Sequence, residues 1–330
     1  MKRKCSKELY CEFLIAAQTN FTATACASLL TDIAHDSITR LLSERKFTPA
    51  ILWEYSQKLV SGKGVIVVDD TVLDHPYSET GSLIRFQYSG THHDVVKGIG
   101  VTTLLWSGQK DEHIPINYRL YDPDTDDKTK NEHTREMLHQ VKERGIVPDF
   151  VTMDKFYAAN DTLHLIAHDF NWHFVCALKS NRLVYLDYGK KNRFPILEVD
   201  IPPEGRIVHL KDFGAVKIFR IVSPDGKAEH LATSKLDLTA KDVKEVYAQR
   251  WKVEEYHRGL KQTVGIEACQ ARSSRSQRNH IFCSLLSFLA LEKKRLEEGV
   301  SWYEAKRSII ADSLFLYLKS PFIPLPSPVP

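Results

Sequence analysis

The feature that most constrains this chain is a run of four β-branched apolar residues that ends in two carboxylates, "VIVVDD" (Val65 to Asp70). An apolar run without alternating polar residues is typical of a strand that is buried on both faces of a sheet. Carboxylates at the end of such a strand are costly unless they bind a cation or pair with a base. The alternative is that the chain simply leaves the sheet there, because Asp is common in turns. The run therefore predicts a central strand with either a functional site or a turn at its end.

A second short strand also stops at a carboxylate, since the segment "PDFVTMD" ends at Asp154. Two such acids on separate strands favour a shared site more than one acid does, although two turns remain an alternative. Carboxylate oxygens are hard ligands that suit Mg²⁺, which commonly takes one or two protein carboxylates together with substrate phosphates. The two acids together therefore indicate a candidate metal site.

The order of elements around these two strands indicates an α/β fold. Strand patterns recur near 84–87, 98–106, 114–121 and 172–179, and helical patterns lie near 131–143, 157–168 and 238–318. We predict an RNase H-like catalytic core with a β-rich insertion, an N-terminal helical region and C-terminal helices. The expected domains, in chain order, are a helical candidate DNA-binding region at 1–60, the first part of the core at 61–180, the insertion at 181–236, the completion of the core with basic C-terminal helices at 237–320, and an extended or disordered proline-rich tail at 321–330.

Within the N-terminal region, the segment "TATACASLLTDIAHDSITRLLSERKF" resembles a helix-turn-helix. Its second helix is expected to start near His35 or Asp36 and to carry Ser37, Thr39 and Arg40 on its outer face. A plain helical hairpin has the same pattern, so DNA recognition by this segment is one of two interpretations.

The segment "VYAQRWKVEEYHRGLKQ" (Val246 to Gln262) predicts one continuous helix with an uneven distribution of charge. At about 100° per residue, four of its side chains fall within about 60° of arc; these are Tyr247, Arg250, Glu254 and Lys261. An apolar stripe lies beside them, so the four residues border the buried face and are not opposite to it. An exposed ion-pair ladder is the alternative, but Arg preceding Glu is the weaker orientation for one.

The same four residues carry a resemblance to a known family. Tyr247-x2-Arg250-x3-Glu254-x6-Lys261 resembles the Y-R-E-K signature of bacterial insertion-sequence DDE transposases. "VVDDT" and "VTMDKFY" resemble the two aspartate motifs of that family. The N-terminal helical region and the core with a β-rich insertion are also similar, so the resemblance spans roughly residues 20–295.

The resemblance implies a catalytic triad of Asp69, Asp154 and Glu254 that holds two Mg²⁺ ions, with Mn²⁺ as a substitute. Asp69 and Asp70 compete for the first place, and on a strand they point to opposite faces. The family pattern Asp-x-Thr is completed by Thr71 and favours Asp69, while Asp70 stays an alternative. The implied reaction cuts DNA at the terminal repeats of the element and joins the 3′-hydroxyl ends to target DNA. The implied assembly is a dimer, or a larger synaptic complex, on transposon-end and target DNA.

The resemblance also implies that Tyr247, Arg250 and Lys261 contact phosphates near the cleaved end. The window from Lys244 to Arg295 holds eleven Lys or Arg against five Asp or Glu, a net charge of +6 on a chain of +3. Such a block suggests an anionic polymer partner, although a solvated helical surface would have the same composition. Further expected contacts with the DNA backbone are Lys252, Arg258, Arg272, Arg275 and Arg278. Trp251 is the nearest aromatic residue for stacking on a flipped base in a hairpin intermediate, but its position on the helix favours core packing. The modest insertion leaves a hairpin intermediate open.

Other features bear on the class and location of the protein. No apolar run reaches the roughly 18 residues of a membrane span, and the N-terminal segment lacks the apolar core of a secretory signal. The six cysteines are scattered without a CxxC pair, which is typical of reduced thiols. We expect a cytoplasmic, nucleoid-associated enzyme. Two alternatives are a non-catalytic DNA-binding protein derived from such an element, and an RNase H-like nuclease that cuts without joining.

Overall fold

A computed structural model describes residues 4–30, 32–81, 83–90, 93–187, 192–222 and 226–320. The chain divides into two compact units, of which one is Phe47–Arg258 and the other combines Met1–Lys46 with Gly259–Pro330. The predicted proline-rich tail at 321–330 lies outside the described residues.

The unit Phe47–Arg258 is built on one mixed sheet whose described part has eleven strands. The strands are β1 (Gly64–Asp74), β2 (Arg85–Ser89), β3 (Asp94–Gly108), β4 (Ile114–Leu120), β5 (Phe150–Met153), β6 (Phe174–Leu178), β7 (Leu183–Tyr185), β8 (Arg193–Pro195), β9 (Arg206–Leu210), β10 (Gly214–Val222) and β11 (Ala228–Thr233). Their order is β2-β3-β1-β5-β6-β11-β10-β9-β7-β8, and β4 also pairs with β3. The mixed α/β class predicted from the sequence is confirmed.

The strand β1 occupies the central position that its composition predicts. Ile66, Val67 and Val68 have no exposed surface. Strand β3 pairs antiparallel with β1 along the whole length of β1. Strand β5 pairs parallel with β1, from Val65 opposite Phe150 to Val68 opposite Met153. The β-branched side chains of β1 fit this position because both faces of the strand are covered.

The helices of this unit are α4 (Pro49–Ser56), the single turn α5 (Pro123–Asp126), α6 (Lys130–Glu143), α7 (Asn160–His164), α8 (Ala240–Ala248) and the first part of α9 (Trp251–Thr263). A π-helical turn (Leu165–Asp169) follows α7, and a 3-10 turn (Ile196–Glu198) follows β8. The helix predicted near 131–143 is confirmed as α6, which begins with a capping box between Thr129 and Glu132. The helix expected from Tyr157 begins only at Asn160, because residues 155–157 form a turn.

The β-rich segment predicted at 181–236 contains β7 to β11 and continues the main sheet. Strand β11 pairs antiparallel with β6, from His230 opposite Leu178 to Thr233 opposite Val175. Phe219 of β10 belongs to the same buried cluster as Val175 and Val243, so the added strands share a core with β6 and α8.

The second unit is helical in its described part. Its helices are α1 (Lys7–Ala16), α2 (Ala23–Leu29), α3 (His35–Glu44), the end of α9, α10 (Ser274–Glu298) and α11 (Trp302–Lys319). The two helices of the predicted helical hairpin are confirmed as α2 and α3. Thr39 and Arg40 are exposed as expected, whereas Ser37 is half-buried and its hydroxyl accepts a 2.7 Å hydrogen bond from the Cys5 backbone.

Buried polar side chains link the helices of this second unit. The Asn279 amide nitrogen donates to the carbonyls of Leu42 (2.7 Å) and Arg45 (2.6 Å) at the end of α3. The Lys306 ammonium donates to three carbonyls, which belong to Ile15, Ala17 and Thr263. Burial lowers the pKa of Lys306 to about 8. These bonds satisfy carbonyls at helix ends that have no partner within their own helix.

The sequence also led to expectations about membrane-spanning segments and about the cysteines. No helix in the described ranges is both long and apolar enough to cross a membrane. All six cysteines are buried.

Candidate active site

Asp69 and Asp154 lie next to each other where two parallel strands of the unit Phe47–Arg258 stop pairing. Val68 of β1 is in register with Met153 of β5, and Asp69 and Asp154 each follow these residues. Since both strands run in the same direction, the two acids come side by side where the pairing of β1 with β5 stops. The structure therefore brings the two acids close enough for the charge of Asp154 to act on Asp69. The prediction that the β1 strand ends at Asp69 and Asp70 is wrong, because β1 stays paired with β3 and continues to Asp74.

The environment of Asp69 disfavours its charged form. Burial, followed by the charges of Asp154 and Asp70, raises the pKa of Asp69 to about 7, against the opposing effects of Arg250 and the Asp70 backbone N–H. Burial also raises the pKa of Asp154, although backbone N–H bonds from Phe156 and Tyr157 act in the opposite direction. A group of partly desolvated carboxylates of this kind attracts cations.

The side chain of Arg250 joins Asp69 to Glu254. One guanidinium nitrogen (Nη1) lies 3.3 Å from Asp69 Oδ2, and the other (Nη2) donates to Glu254 Oε1 at 2.8 Å. Of the three side chains, Asp69 is 17%, Arg250 21% and Glu254 34% exposed, so the group is open to solvent mainly at Glu254. Burial alone would lower the pKa of Arg250, but the neighbouring Tyr247, Asp69 and Glu254 outweigh it and raise the pKa.

The single helix predicted over 246–262 is wrong, because the chain turns between α8 and α9. Gln249 and Arg250 lie outside both helices. The backbone N–H of Arg250 bonds to the Tyr247 carbonyl and that of Val253 to the Arg250 carbonyl, so three-residue bonds replace the four-residue bonds of an α-helix. The predicted arc on one helix therefore does not exist. The structure nonetheless brings together three of the four side chains that were predicted to share this arc. The Arg250 guanidinium lies 5.7 Å from the centre of the Tyr247 ring and bonds to Glu254.

Asp70 differs from Asp69 in having both carboxylate oxygens bonded to other side chains. The Tyr157 hydroxyl donates to Asp70 Oδ1 at 2.6 Å, and the Lys130 ammonium donates to Oδ2 at 2.5 Å. Tyr157 is fully buried, and burial together with the charge of Asp70 raises its pKa far above the usual range. Sequence reasoning missed Lys130 and Tyr157, although "MDKFY" places an aromatic hydroxyl three residues after Asp154.

Glu255, next to Glu254, belongs to a different ion-pair group. It bonds to His113 (3.0 Å) and to Lys252 (3.2 Å), and Lys252 also lies 2.7 Å from Asp111. Burial alone would raise the pKa of Glu255, but its bonds to His113 and Lys252 outweigh burial and lower it. Lys252, which was expected to contact DNA, is therefore already paired with two acids.

The remaining residues predicted to bind DNA lie in several places. Arg258 is exposed on α9, Arg272 is exposed in the loop before α10, and Arg275 and Arg278 lie in the first turns of α10. Lys261 belongs to the helical unit, where its ammonium lies 2.7 Å from Glu267. The expectation that Trp251 packs in the core is wrong, because this side chain at the start of α9 is 50% exposed.

The donor chemistry of the three acids fits a hard divalent cation, since all their oxygens are carboxylate oxygens. Their present arrangement places Arg250 as the counter-ion between Asp69 and Glu254. Accordingly, no group of three His, Cys, Asp or Glu side chains among the described residues is arranged to hold a metal ion. Asp69, Asp154 and Glu254 are thus suitable in kind, and binding a metal ion at all three requires the Arg250 side chain to move.

Comparison with known proteins relates this geometry to one group of enzymes. Residues 61–289 match the sequence model described as the transposase DDE domain. A search of curated proteins returned no match. A solved piggyBac transposase synaptic complex with hairpin DNA is similar in fold, with a TM-score of 0.56 and 13% identity over 99% of this chain and 78% of that chain. A Drosophila P element transposase strand transfer complex aligns with a TM-score of 0.31 and 8% identity, over 88% of this chain and 65% of that chain.

Proposed function

The chain belongs to the family of transposase DDE domains, and we propose that it cuts DNA at the ends of an insertion sequence and joins the freed 3′-hydroxyls to target DNA. The observations that support this proposal are that Asp69 and Asp154 lie side by side where β1 and β5 stop pairing, and that Arg250 links Asp69 to Glu254 of α9. The substrates are transposon-end and target DNA, and the working form is a dimer in a synaptic complex. The RNase H-like description of the core belongs to the same proposal.

Each acid of the proposed triad has a distinct role in the arrangement of the site. Asp69 is the most desolvated of the three acids, and Asp154 is oriented by two backbone N–H bonds. Glu254 is more exposed than Asp69, which is the other acid bonded to Arg250. When bound, two Mg²⁺ or Mn²⁺ ions supply an activated hydroxyl nucleophile and stabilise the leaving oxygen. Asp70 is not part of this set in our proposal, because Lys130 and Tyr157 already occupy both of its oxygens.

Arg250 and Tyr247 are suited to hold the DNA phosphate next to the acids. The guanidinium is a planar donor that matches a phosphate as well as a carboxylate. Because Arg250 must leave Asp69 and Glu254 for all three acids to bind metal, a nearby phosphate is the natural partner for the released guanidinium. Lys261, Arg258, Arg272, Arg275 and Arg278 are the proposed backbone contacts beyond this point, and Lys252 joins them only if it leaves Asp111 and Glu255.

One assay distinguishes this proposal from its alternatives. The purified chain is incubated with Mg²⁺, labelled DNA carrying the ends of its own element, and supercoiled target plasmid. We expect cleaved ends and joined products. Binding without cleavage would favour a non-catalytic DNA-binding protein, and cleavage without joining would favour a stand-alone nuclease.

The adjacent glutamates on α9 provide a matched pair of variants. We expect Glu254→Gln to abolish cleavage and joining while DNA affinity, measured by fluorescence anisotropy, stays within about twofold, because removing one charge next to a phosphate site affects binding little. Glu255→Gln serves as the control and retains activity, since Glu255 bonds to His113 and Lys252 and not to Arg250. If Glu254→Gln still joined DNA ends, the triad would be wrong.

A further inference from the structure

A cavity of about 260 Å³ lies in the unit Phe47–Arg258, directly after Asp154 in the chain. The residues that matter here are Asn131, Lys155, Phe156, Lys179 and Arg182, all of which line it. The cavity is slightly below the roughly 300–1,000 Å³ of pockets that enclose a whole drug-sized ligand. It therefore has room for one small ring or a phosphate with the remainder of the ligand outside.

The charged side chains among the described residues that line this cavity are all cations. Lys155, Lys179 and Arg182 form no ion pair with any acid in the parts of the chain that the structure describes. Arg182 bonds to the neutral side-chain oxygen of Asn160, which orients the guanidinium without reducing its charge. Three cations that line one small cavity without carboxylate partners favour an anionic ligand.

An aromatic side chain at the same cavity is exposed but held in place. Phe156 is 48% exposed, although large apolar side chains are usually covered. Its backbone N–H donates to Asp154 Oδ1 at 2.9 Å, and its carbonyl accepts from the Asn131 amide nitrogen at 3.4 Å. The ring also packs edge-on against Tyr157, with centroids 5.0 Å apart and planes at 84°. One face of a fixed aromatic ring is therefore available for stacking.

Cations and a half-exposed aromatic ring at one cavity together match a nucleotide, which has a phosphate and an aromatic base.

We propose that this cavity binds one unpaired nucleotide of the DNA strand that passes Asp154, with its phosphate on Lys179 and Arg182 and its base against Phe156. The proposal rests on the proposed function, because Asp154 is one of the three proposed catalytic acids. The same residue also precedes the turn that carries Lys155 and Phe156. A base inside a duplex has no free face, so the nucleotide that binds here is unstacked from its neighbours.

The experiment measures binding to the full-length chain without divalent metal, so that no DNA is cut. Fluorescence anisotropy compares a labelled single-stranded oligonucleotide with a duplex of the same sequence. We expect Lys179→Ala/Arg182→Ala to weaken single-strand binding about tenfold or more and duplex binding by less than about twofold, because the variant removes two phosphate contacts of the nucleotide in the cavity and a duplex places no nucleotide there. Lys58→Ala removes an exposed cation outside the cavity and serves as the control.

A second measurement reports on the base itself. An oligonucleotide containing 2-aminopurine should lose fluorescence on binding, because the base stacks on Phe156. Phe156→Ala should abolish this quenching, while Phe156→Tyr should retain it. Retained quenching in Phe156→Ala, or equal losses of single-strand and duplex affinity in the double variant, would overturn the proposal. A free deoxynucleoside monophosphate that competes as strongly as the oligonucleotide would also overturn it, since the site would then serve a small molecule.

These results are separable from the proposed transposase activity. If the parent protein with Mg²⁺ joins DNA ends but the double variant binds single strands normally, only the nucleotide site is wrong. If the double variant loses single-strand binding but the parent protein neither cuts nor joins any DNA, the site is present and the proposed reaction is wrong.

Discussion

At the scale of single residues, the two adjacent aspartates of β1 have opposite surroundings. Burial, together with the charges of Asp154 and Asp70, raises the pKa of Asp69 to about 7 despite the opposing effect of the Arg250 guanidinium. Asp70 is bonded on one oxygen to a lysine and on the other to a buried tyrosine. The first carboxylate therefore costs stability when it is charged, whereas the second contributes stability. Such a cost is common where a group is placed for chemistry and not for folding.

Asparagine substitutions should distinguish the two residues. We expect Asp70→Asn to lower the free energy of unfolding by about 2 kcal/mol, because hydrogen bonds to a charged group are worth roughly 1.5–3 kcal/mol. Asp69→Asn should leave stability unchanged or higher at pH 8. In the folded state Asp69 has a pKa of about 7, which is above its value in the unfolded state. The folded protein therefore loses stability as the pH rises towards 7 and Asp69 gives up its proton. The uncharged Asn side chain in Asp69→Asn removes this loss of stability.

The measurement is urea unfolding in the presence of EDTA at pH 5 and at pH 8. The difference in stability between the two pH values should shrink in Asp69→Asn and persist in Asp70→Asn. A larger loss of stability in Asp69→Asn than in Asp70→Asn would contradict the distinction drawn between the two carboxylates.

At the scale of elements, much of the sheet could be predicted, whereas the turn between α8 and α9 could not. The strands β1 and β5 were recognisable because each contains a largely apolar run directly before an acid, although β1 continues beyond its acids to Asp74. The turn at Gln249 and Arg250 was missed because three-residue bonds keep the spacing of apolar residues close to helical. Trp251 was misplaced for the same reason, since the turn rotates it away from the face that one continuous helix predicts. The partners of Asp70 were missed because Lys130 comes from a helix 60 residues away.

A glycine in α9 makes a close contact that sets the packing of this helix in the second unit. A Cβ atom at Gly259 would lie 2.7 Å from the Phe288 ring and 3.0 Å from the Trp302 ring. We expect Gly259→Ala to destabilise the protein by about 1–3 kcal/mol, because overpacking outweighs the roughly 1 kcal/mol that alanine gains in a helix. Gly81→Ala, where no atom lies within 4 Å of the added carbon, is the control. A rise in melting temperature for Gly259→Ala would contradict the close packing.

At the scale of the whole molecule, the net positive window from Lys244 to Arg295 is less available than its composition indicates. Lys252 and Lys261 are paired with acids, so they are less available to bind DNA phosphates than the sequence predicted. Arg272 and Arg275 are exposed and form no ion pair with a described residue. Composition identifies such a charge, but only the structure shows which cations already have partners.

The salt dependence of DNA binding tests this distinction. We expect Arg272→Ala/Arg275→Ala to reduce the slope of log affinity against log salt by about 1.8, since each lost phosphate contact on duplex DNA contributes about 0.9. Lys294→Ala should leave the slope unchanged, because the Lys294 ammonium already lies 2.6 Å from Glu298. An unchanged slope in the double variant would exclude these two arginines from the DNA-binding surface.

The bonds of Lys306 to the carbonyls of Ile15 and Ala17 have a consequence for the order in which the chain is made. Lys306 is translated 289 residues after Ala17, which at about 5–20 residues per second is a delay of roughly 15–60 s. Over that interval the ribosome completes every strand of the sheet, while α1 to α3 still lack α10 and α11. The unit Phe47–Arg258 can therefore assemble on the ribosome first, and the helices translated earliest are among the last to reach their final partners.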